Sequence, residues 1–191
     1  MDDDDNNKVL LRRIAVGEQA ALQALFELYH TRIFRFIKRL IGSEAIAEEI
    51  ANEVFMEVWR NAGKFEGRSK VSTWIMAIAH NRAVSALRKR QETQIEDDMF
   101  ETIADTADNP ETVSAKRSKG EQIRLCMERL TPEHREIIDL VYYHEKSIAE
   151  IAEIVSIPAS TVKTRMFNAR QKLGLYQANL TIIHKWPNLV R

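Results

Sequence analysis

Apolar positions in this chain recur three and four residues apart along most of its length, and that period predicts helices facing a core. Between Leu22 and Ile41 the stripe is Leu22, Leu25, Phe26, Tyr29, Ile33, Phe36, Ile37 and Leu40. Gly42 ends that helix, and Ser43 is placed to cap the next. The next helix runs to about Ala62, with Ala47, Ile50, Ala51, Val54, Phe55 and Val58 inward and Glu48, Glu49, Glu53 and Glu57 outward. A loop over 63–70 follows, then a long helix from about Ser72 to Arg90 that buries Val71, Ile75, Ile78, Ala79, Ala83 and Leu87.

The second half repeats the helical period. Residues 113–130 read as a helix, and Thr131-Pro132 is a restart signal, with a hydroxyl to cap and proline at the first helical position. Ile137, Ile138, Leu140 and Val141 make a short apolar helix. Ser147 and Glu150 then have the spacing of a reciprocal capping box. Ile148, Ile151, Ala152 and Val155 face inward, Ser156-Ile157-Pro158 turns the chain, and Val162, Met166, Ala169 and Leu173 stripe a second helix. The pattern is a helix–turn–helix. With no strand-period segment of useful length and no internal repeat, the predicted fold is all-α, in two small helical bundles.

Charge sharpens this picture. Lys plus Arg and Asp plus Glu both total 28, yet the charges are sorted along the chain. Ile154 to Arg191 has no acid, and neither does Gly67 to Gln91, which holds Arg68, Lys70, Arg82, Arg88, Lys89 and Arg90. Glu92 to Glu111 has eight acids and no base. Two cationic modules joined by an anionic tether suit contact with a duplex at two places, because neutralised phosphates dominate nucleic-acid affinity. Broken by Asn109-Pro110, the 25 residues from Gln91 to Ala115 span roughly 85 Å when extended. Met1 to Asp5 reads as a disordered acidic tail. The single cysteine, Cys126, excludes an intramolecular disulfide, and the absence of a long apolar run excludes membrane insertion, so a soluble cytoplasmic protein is expected.

Enzyme chemistry finds no foothold. His144-Glu145 lacks the second histidine of a helical zinc-protease motif, and the other histidines are scattered. There is no phosphate-binding glycine loop and no nucleophile elbow. No cofactor and no metal are expected.

The run Ile151-Ala152-Glu153-Ile154-Val155-Ser156-Ile157-Pro158-Ala159-Ser160-Thr161-Val162-Lys163-Thr164-Arg165 resembles region 4 of bacterial sigma factors of the extracytoplasmic-function group (group IV of the sigma-70 family). Ala47-Glu48-Glu49-Ile50-Ala51-Asn52-Glu53-Val54-Phe55 and Ser72-Thr73-Trp74-Ile75-Met76-Ala77-Ile78-Ala79-His80-Asn81 are similar to region 2 of the same group. The likeness covers about 22–90 and 121–173. It implies a promoter-specificity subunit that binds core RNA polymerase, reads the −35 and −10 elements and helps open the duplex for a stress-responsive regulon. It divides the chain into an acidic tail with a first short helix (1–18), a region 2-like domain (19–91), an acidic linker (92–115), a region 4-like domain (116–175) and an extension of no assigned role (176–191).

By motif position, the resemblance implies −35 duplex contacts from Ser160, Thr161, Lys163, Thr164, Arg165, Phe167, Asn168 and Arg170 on the recognition helix. Asn168 stands where relatives often carry arginine or histidine, which leaves the base read there open. Ser156 replaces the usual turn glycine; left-handed backbone there costs about 1–2 kcal/mol, or the turn is built differently. For the −10 single strand the implied set is Arg68, Ser69, Lys70, Trp74, Asn81, Arg82 and Arg88, with Asn81 at a pocket for an unstacked base. Trp74 also reads as a core residue, and Arg88-Lys89-Arg90 as a solvated helix end complementing the dipole. Glu48, Glu49, Asn52, Glu53 and Glu57 match the surface that docks on the β′ clamp coiled coil, and region 4 matches the module that meets the β flap. An anti-sigma factor is the implied regulator. Two rival readings stand beside this one: a sigma-like protein that titrates an anti-sigma factor, and a stand-alone helix–turn–helix regulator.

Overall fold

The computed structural model describes residues 3–98 and 130–172. Among them are seven α-helices and no strand: α1 (Asp3–Ala15), α2 (Gln19–Ile41), α3 (Glu44–Asn61), α4 (Val71–Asp98), α5 (Pro132–Tyr142), α6 (Ile148–Ile154) and α7 (Ala159–Lys172), with a 3-10 turn at Ala62–Lys64. The all-α expectation holds.

Helices α1 to α4 form the first bundle. Its core is the stripe read from the sequence: Leu25, Ile33 and Ile37 of α2, Ala47 and Val54 of α3, and Ile75 and Ala79 of α4 are fully enclosed. Gly42 ends α2 in the left-handed conformation (φ 81°), and its N–H donates to the Lys38 carbonyl at 2.8 Å. Ser43 sits at the N-cap of α3, but its hydroxyl makes no capping hydrogen bond.

Two boundaries differ from expectation. The segment read as a disordered tail is helical from Asp3, because Leu10, Leu11 and Ile14 form a short buried stripe against α2 and α4. The acids of its first turn suit the positive end of a helix, and Asp4 reaches across to accept the Val71 N–H of α4 at 2.9 Å. Asn7 Nδ2 donates to the buried Tyr29 hydroxyl at 2.7 Å. At the other end, α4 continues to Asp98, so residues 92–98 of the expected linker are helical. The helix read over 113–130 lies outside the described residues except for Leu130, as do Leu173 and the extension.

In the second bundle Pro132 takes the first position of α5 and Thr131 the N-cap, but the threonine hydroxyl meets His134 Nδ1 (2.8 Å) and makes no backbone cap. The capping box opening α6 forms as read: the Ser147 hydroxyl accepts the Glu150 N–H at 3.3 Å, and Glu150 Oε2 accepts the Ser147 N–H at 2.9 Å. Ser156 adopts φ 52°. The Ile157 N–H donates to the Ala152 carbonyl (3.1 Å) and the Ser156 N–H to Glu153 (3.4 Å), the paired bonds of a Schellman ending. The turn glycine is therefore replaced without changing the geometry.

The two bundles are packed together. One buried apolar cluster runs from the first bundle through Ile137, Leu140, Ile151 and Ile154 of the second. Polar groups line the same junction. Arg39 of α2 forms a two-pronged pair with Asp139 of α5 and lies over the Tyr143 ring at 4.4 Å, while His80 of α4 pairs with Glu136. The buried Lys146 Nζ donates to the hydroxyls of Ser72 (2.7 Å) and Thr73 (3.2 Å), and Thr73 donates to Glu150 Oε1 at 3.2 Å. Burial holds the Lys146 ammonium below its ordinary range, with Glu150 opposing that effect. For Glu150 burial is the largest single influence and works against ionisation. The Ser147 N–H and hydroxyl, with the Lys146 and Lys70 ammoniums, together outweigh it and hold the carboxyl at about 2.

Substituting Ser156→Gly relieves the left-handed strain at a site where glycine fits, so the urea midpoint should rise, equivalent to roughly 1 kcal/mol. Ser147→Ala removes the cap and should cost about 1 kcal/mol by the same measurement. Because the folded-state value of Glu150 lies below the ordinary 4.5, its contribution is complete above that pH and is lost as pH falls toward 2. The stability difference between the wild-type chain and Glu150→Gln, followed by urea denaturation, should therefore shrink across that window.

Candidate nucleic-acid and polymerase surfaces

Recognition helix α7 is positioned by its buried side. Val162, Met166 and Ala169 are enclosed, which fixes the helix rotation and turns Ser160, Lys163, Thr164, Phe167 and Asn168 outward. Phe167 is 48 % exposed, a large apolar ring on a polar face. Thr161, Arg165 and Arg170 are half-buried at the margin. Arg170 is drawn inward: its Nε donates to the Tyr142 hydroxyl at 3.2 Å. Thr164 donates its hydroxyl to the Ser160 carbonyl at 3.1 Å, one turn back along the helix. Glu133, at the start of α5, is held below the ordinary carboxylate range, first by its own backbone N–H and then by the Thr131 hydroxyl and the charge of Arg165. The outward set is polar and cationic, able to meet base edges and phosphates in a major groove.

The loop between the 3-10 turn and α4 makes the second surface. Gly67 (φ 72°) permits its sharp bend. Phe65 and Trp74 pack at 5.3 Å between ring centroids, tilted by 54°, and form an aromatic wall. With Lys64, Glu66, Arg68 and Ser69 they line an open cleft of about 450 Å³. Trp74 is thus half-buried yet reaches the cleft, so both readings of it hold in part. Arg68 carries an ion pair to Glu66 (2.8 Å) and stays largely exposed. Such a cleft offers stacking faces and cations, the ingredients of single-strand capture.

Not all of the residues assigned to this surface gather there. Asn81 is exposed on α4, seven residues beyond Trp74, or about 10 Å along the helix, and is not part of the cleft lining. Arg88 is exposed further along still. Arg82 turns toward α3, donating to Glu57 (2.6 Å) and Glu53 (3.2 Å), a pairing that raises its pKa. Lys70 lies 3.4 Å from Glu150 of the second bundle. Residues that pattern reasoning missed are Lys64 in the cleft lining and Glu153, which enters the same cleft from α6. No local signal marks Glu153; it arrives through the packing of the two bundles.

On α3, Glu49 and Asn52 are fully outward, and Met56 beside them is 51 % exposed. Glu48 lies 3.3 Å from His30 Nε2. Glu53 and Glu57 share Arg82, so part of the acidic face is spent internally. Among the described residues no group of three or more His, Cys, Asp or Glu is placed to hold a metal ion, and no helix is long and apolar enough to cross a membrane.

Comparison with known proteins places the chain in a family. The model for sigma-70 region 2 matches residues 25–93, and that for sigma-70 region 4 matches 120–173. The chain is 30 % identical to the ECF RNA polymerase sigma factor SigK of Mycobacterium ulcerans over 174 residues, covering 88 % of this chain and 92 % of that one. It is 29 % identical to the ECF RNA polymerase sigma factor SigW of Bacillus subtilis over 175 residues, covering 87 % and 94 %. The fold is similar to that of the sigma factor RpoE from Bartonella quintana in its complex with the anti-sigma factor NepR (TM-score 0.65, 23 % identity, 82 % of this chain and 98 % of that one). It is also similar to that of CnrH in complex with the cytosolic domain of CnrY (TM-score 0.64, 18 % identity, 89 % and 96 %). With both regions present and in order, and with a relative 30 % identical over most of both chains, the chain belongs to the extracytoplasmic-function group of the sigma-70 family.

Proposed function

We propose that this protein is a promoter-specificity subunit. It binds core RNA polymerase in the cytoplasm, reads a −35 duplex with α7, and captures an unstacked base of the −10 strand in the cleft beside Trp74. The observation that carries this reading is the outward set Lys163, Thr164, Phe167 and Asn168, held on a helix–turn–helix in a chain that also has an aromatic-walled cleft containing Lys64 and Arg68.

Each surface has a defined physical task. Lys163 and Arg165 supply the charge that neutralises phosphates or pairs with guanine edges, while Phe167 and the Thr164 methyl suit thymine methyl groups. In the cleft, stacking on Phe65 or Trp74 is worth about 1–3 kcal/mol per base, and Arg68 and Lys64 hold the flanking phosphates. Arg82, occupied by Glu53 and Glu57, acts in the fold of the first bundle. Asn81 and Arg88 lie where a strand leaving the cleft would pass along α4. The outward part of the acidic face, Glu48, Glu49 and Asn52 with Met56, docks on the β′ clamp coiled coil, and the second bundle meets the β flap. The solved relatives bound to anti-sigma partners support a regulator of that kind here.

Transcription in vitro with core polymerase over a promoter library tests the whole reading. A specific product is expected, and gel shifts on promoter fragments should require core polymerase. A shift without it favours a stand-alone regulator, and no shift in either case favours a sigma-like titrating protein. Arg165→Ala should weaken −35 recognition by roughly 1–3 kcal/mol at one base position if it reads a base; uniform weakening with a flatter salt slope marks a phosphate contact. Trp74→Ala should impair transcription from closed duplex promoters far more than from pre-melted templates, and equal loss on both would refute its role in opening.

A further inference from the structure

We infer, on the cleft assignment given above, that α1 is a strut for the loop before α4 and that Asp4 is a positioning residue for strand capture. By fixing where α4 begins relative to the loop, Asp4 helps set which unstacked base the cleft accepts.

One helix anchors both ends of the loop. At the far end, Asp4 Oδ1 accepts the Val71 N–H at 2.9 Å. At the near end α1 packs on the 3-10 turn: Leu11 and Ile14 share the buried cluster with Ala62, and a Cβ on Gly63 would lie 3.8 Å from that of Ala15. Asp4 and Ala15 are eleven residues apart on α1, a separation of about 16 Å along a rigid element. The two ends of the loop are set against that fixed length.

Asp4 meets a need that the local sequence leaves open. The first N–H groups of a helix have no intrahelical partner, and a Ser, Thr, Asp or Asn just before the first turn supplies one where it is present. Lys70 holds that position in α4, and its side chain can only donate. Its carbonyl takes the N–H groups of Thr73 and Trp74, while the Val71 N–H goes to Asp4. A carboxylate also suits the positive end of α4. Asp4 is itself held, because Lys8 Nζ lies 2.7 Å from its other oxygen. Asn7 donates to the Tyr29 hydroxyl at 2.7 Å and ties the same stretch of α1 to α2.

The consequence for the cleft is geometric. Trp74, half-buried in the cleft wall, follows Val71 by three residues on α4, and Arg68 and Ser69 precede it in the loop. A shift at Val71 therefore carries both sides of the cleft with it. Charge in the lining is balanced, Lys64 and Arg68 against Glu66 and Glu153, so shape and stacking are left to discriminate between bases. Every group of the strut belongs to the first bundle, and it needs nothing from the second.

Transcription by the polymerase-bound full chain, over promoters carrying each base at each −10 position, tests this. Asp4→Ala removes the acceptor and should flatten the preference at one −10 position about tenfold, the scale of a single base discrimination, with the −35 preference kept. Asp4→Asn gives up the charge toward Lys8 but should stay within about twofold of wild type, because an amide oxygen still accepts from Val71. Hydrogen exchange at Val71 and across 64–70 should quicken about tenfold in D4A, the scale of a lost helix cap, and stay unchanged in α7. Equal loss of −10 and −35 preference in D4A makes Asp4 a stability residue alone and overturns the inference. So does D4N failing as D4A does, which assigns the effect to charge and not to the Val71 bond. Flattening by Trp74→Ala but not by D4A overturns the strut and spares the cleft. If Trp74→Ala leaves every −10 preference intact, the cleft assignment is what fails. Exchange then decides the strut by itself: quickened exchange at 64–71 in D4A upholds it as a brace of the loop, and unchanged exchange overturns it.

Discussion

The first backbone N–H groups of an α-helix have no partner within the helix, and at the start of α4 this chain answers them from segments far apart in sequence. Asp4, in α1, accepts from the Val71 N–H, while the Lys70 carbonyl takes the N–H groups of Thr73 and Trp74. From the second bundle Lys146 then places an ammonium against the hydroxyls of Ser72 and Thr73. A cation at the positive end of a helix is unfavourable in isolation. It is tolerated here because Glu150 and Asp4 balance it, while Lys70 and Arg32 push the other way. The loop that precedes α4 is the proposed strand-capture loop. Its shape, its charge and its access are therefore all set at one helix terminus.

This arrangement explains what the sequence disclosed and what it did not. Helix faces were legible because burial is periodic: the inward sets of α3 and α7 match the apolar stripe residue for residue wherever side chains are described. The capping box was legible because both partners lie within four residues of each other. Ser156 was flagged by the resemblance, which puts a glycine in that turn, and its φ of 52° is the left-handed one of the two outcomes left open. Asp4 is different. A run of aspartates reads as solvated tail, and only the distant Val71 N–H gives one of them a structural partner. The continuation of α4 to Asp98 was hidden for a related reason, since acidic composition suggests a tether whether or not the backbone stays helical. Thr131 and Ser43 show the converse error: a hydroxyl at the right position is permitted, not obliged, to cap.

The candidate sites divide along the same line. Residues on α7 were readable because one helix carries them all. The candidate −10 set spans a loop and about four turns of α4, and the fold separates it: Arg68, Ser69 and Trp74 share a cleft, Asn81 stands apart, and Arg82 serves the acids of α3. That last pairing reshapes the proposed polymerase-docking face of α3 as well. With Glu53 and Glu57 shared with Arg82, the acidity left on this face is that of Glu48 and Glu49, beside the neutral Asn52 and the exposed Met56. A surface of that kind combines charge, which steers and registers a partner, with an apolar contact that holds it.

A protein that must grip two separated elements needs modules that move independently, yet modules with unsatisfied apolar faces are a liability in water. The seam between these bundles reconciles the two demands. Its continuous apolar cluster gives the chain a compact resting form. Its polar half, built from Arg39, Asp139, Lys146 and Glu150, limits how firmly that form is held, because each of these groups is well solvated once released. A purely apolar junction of the same extent would be harder to part, and a purely polar one would leave hydrophobic surface uncovered.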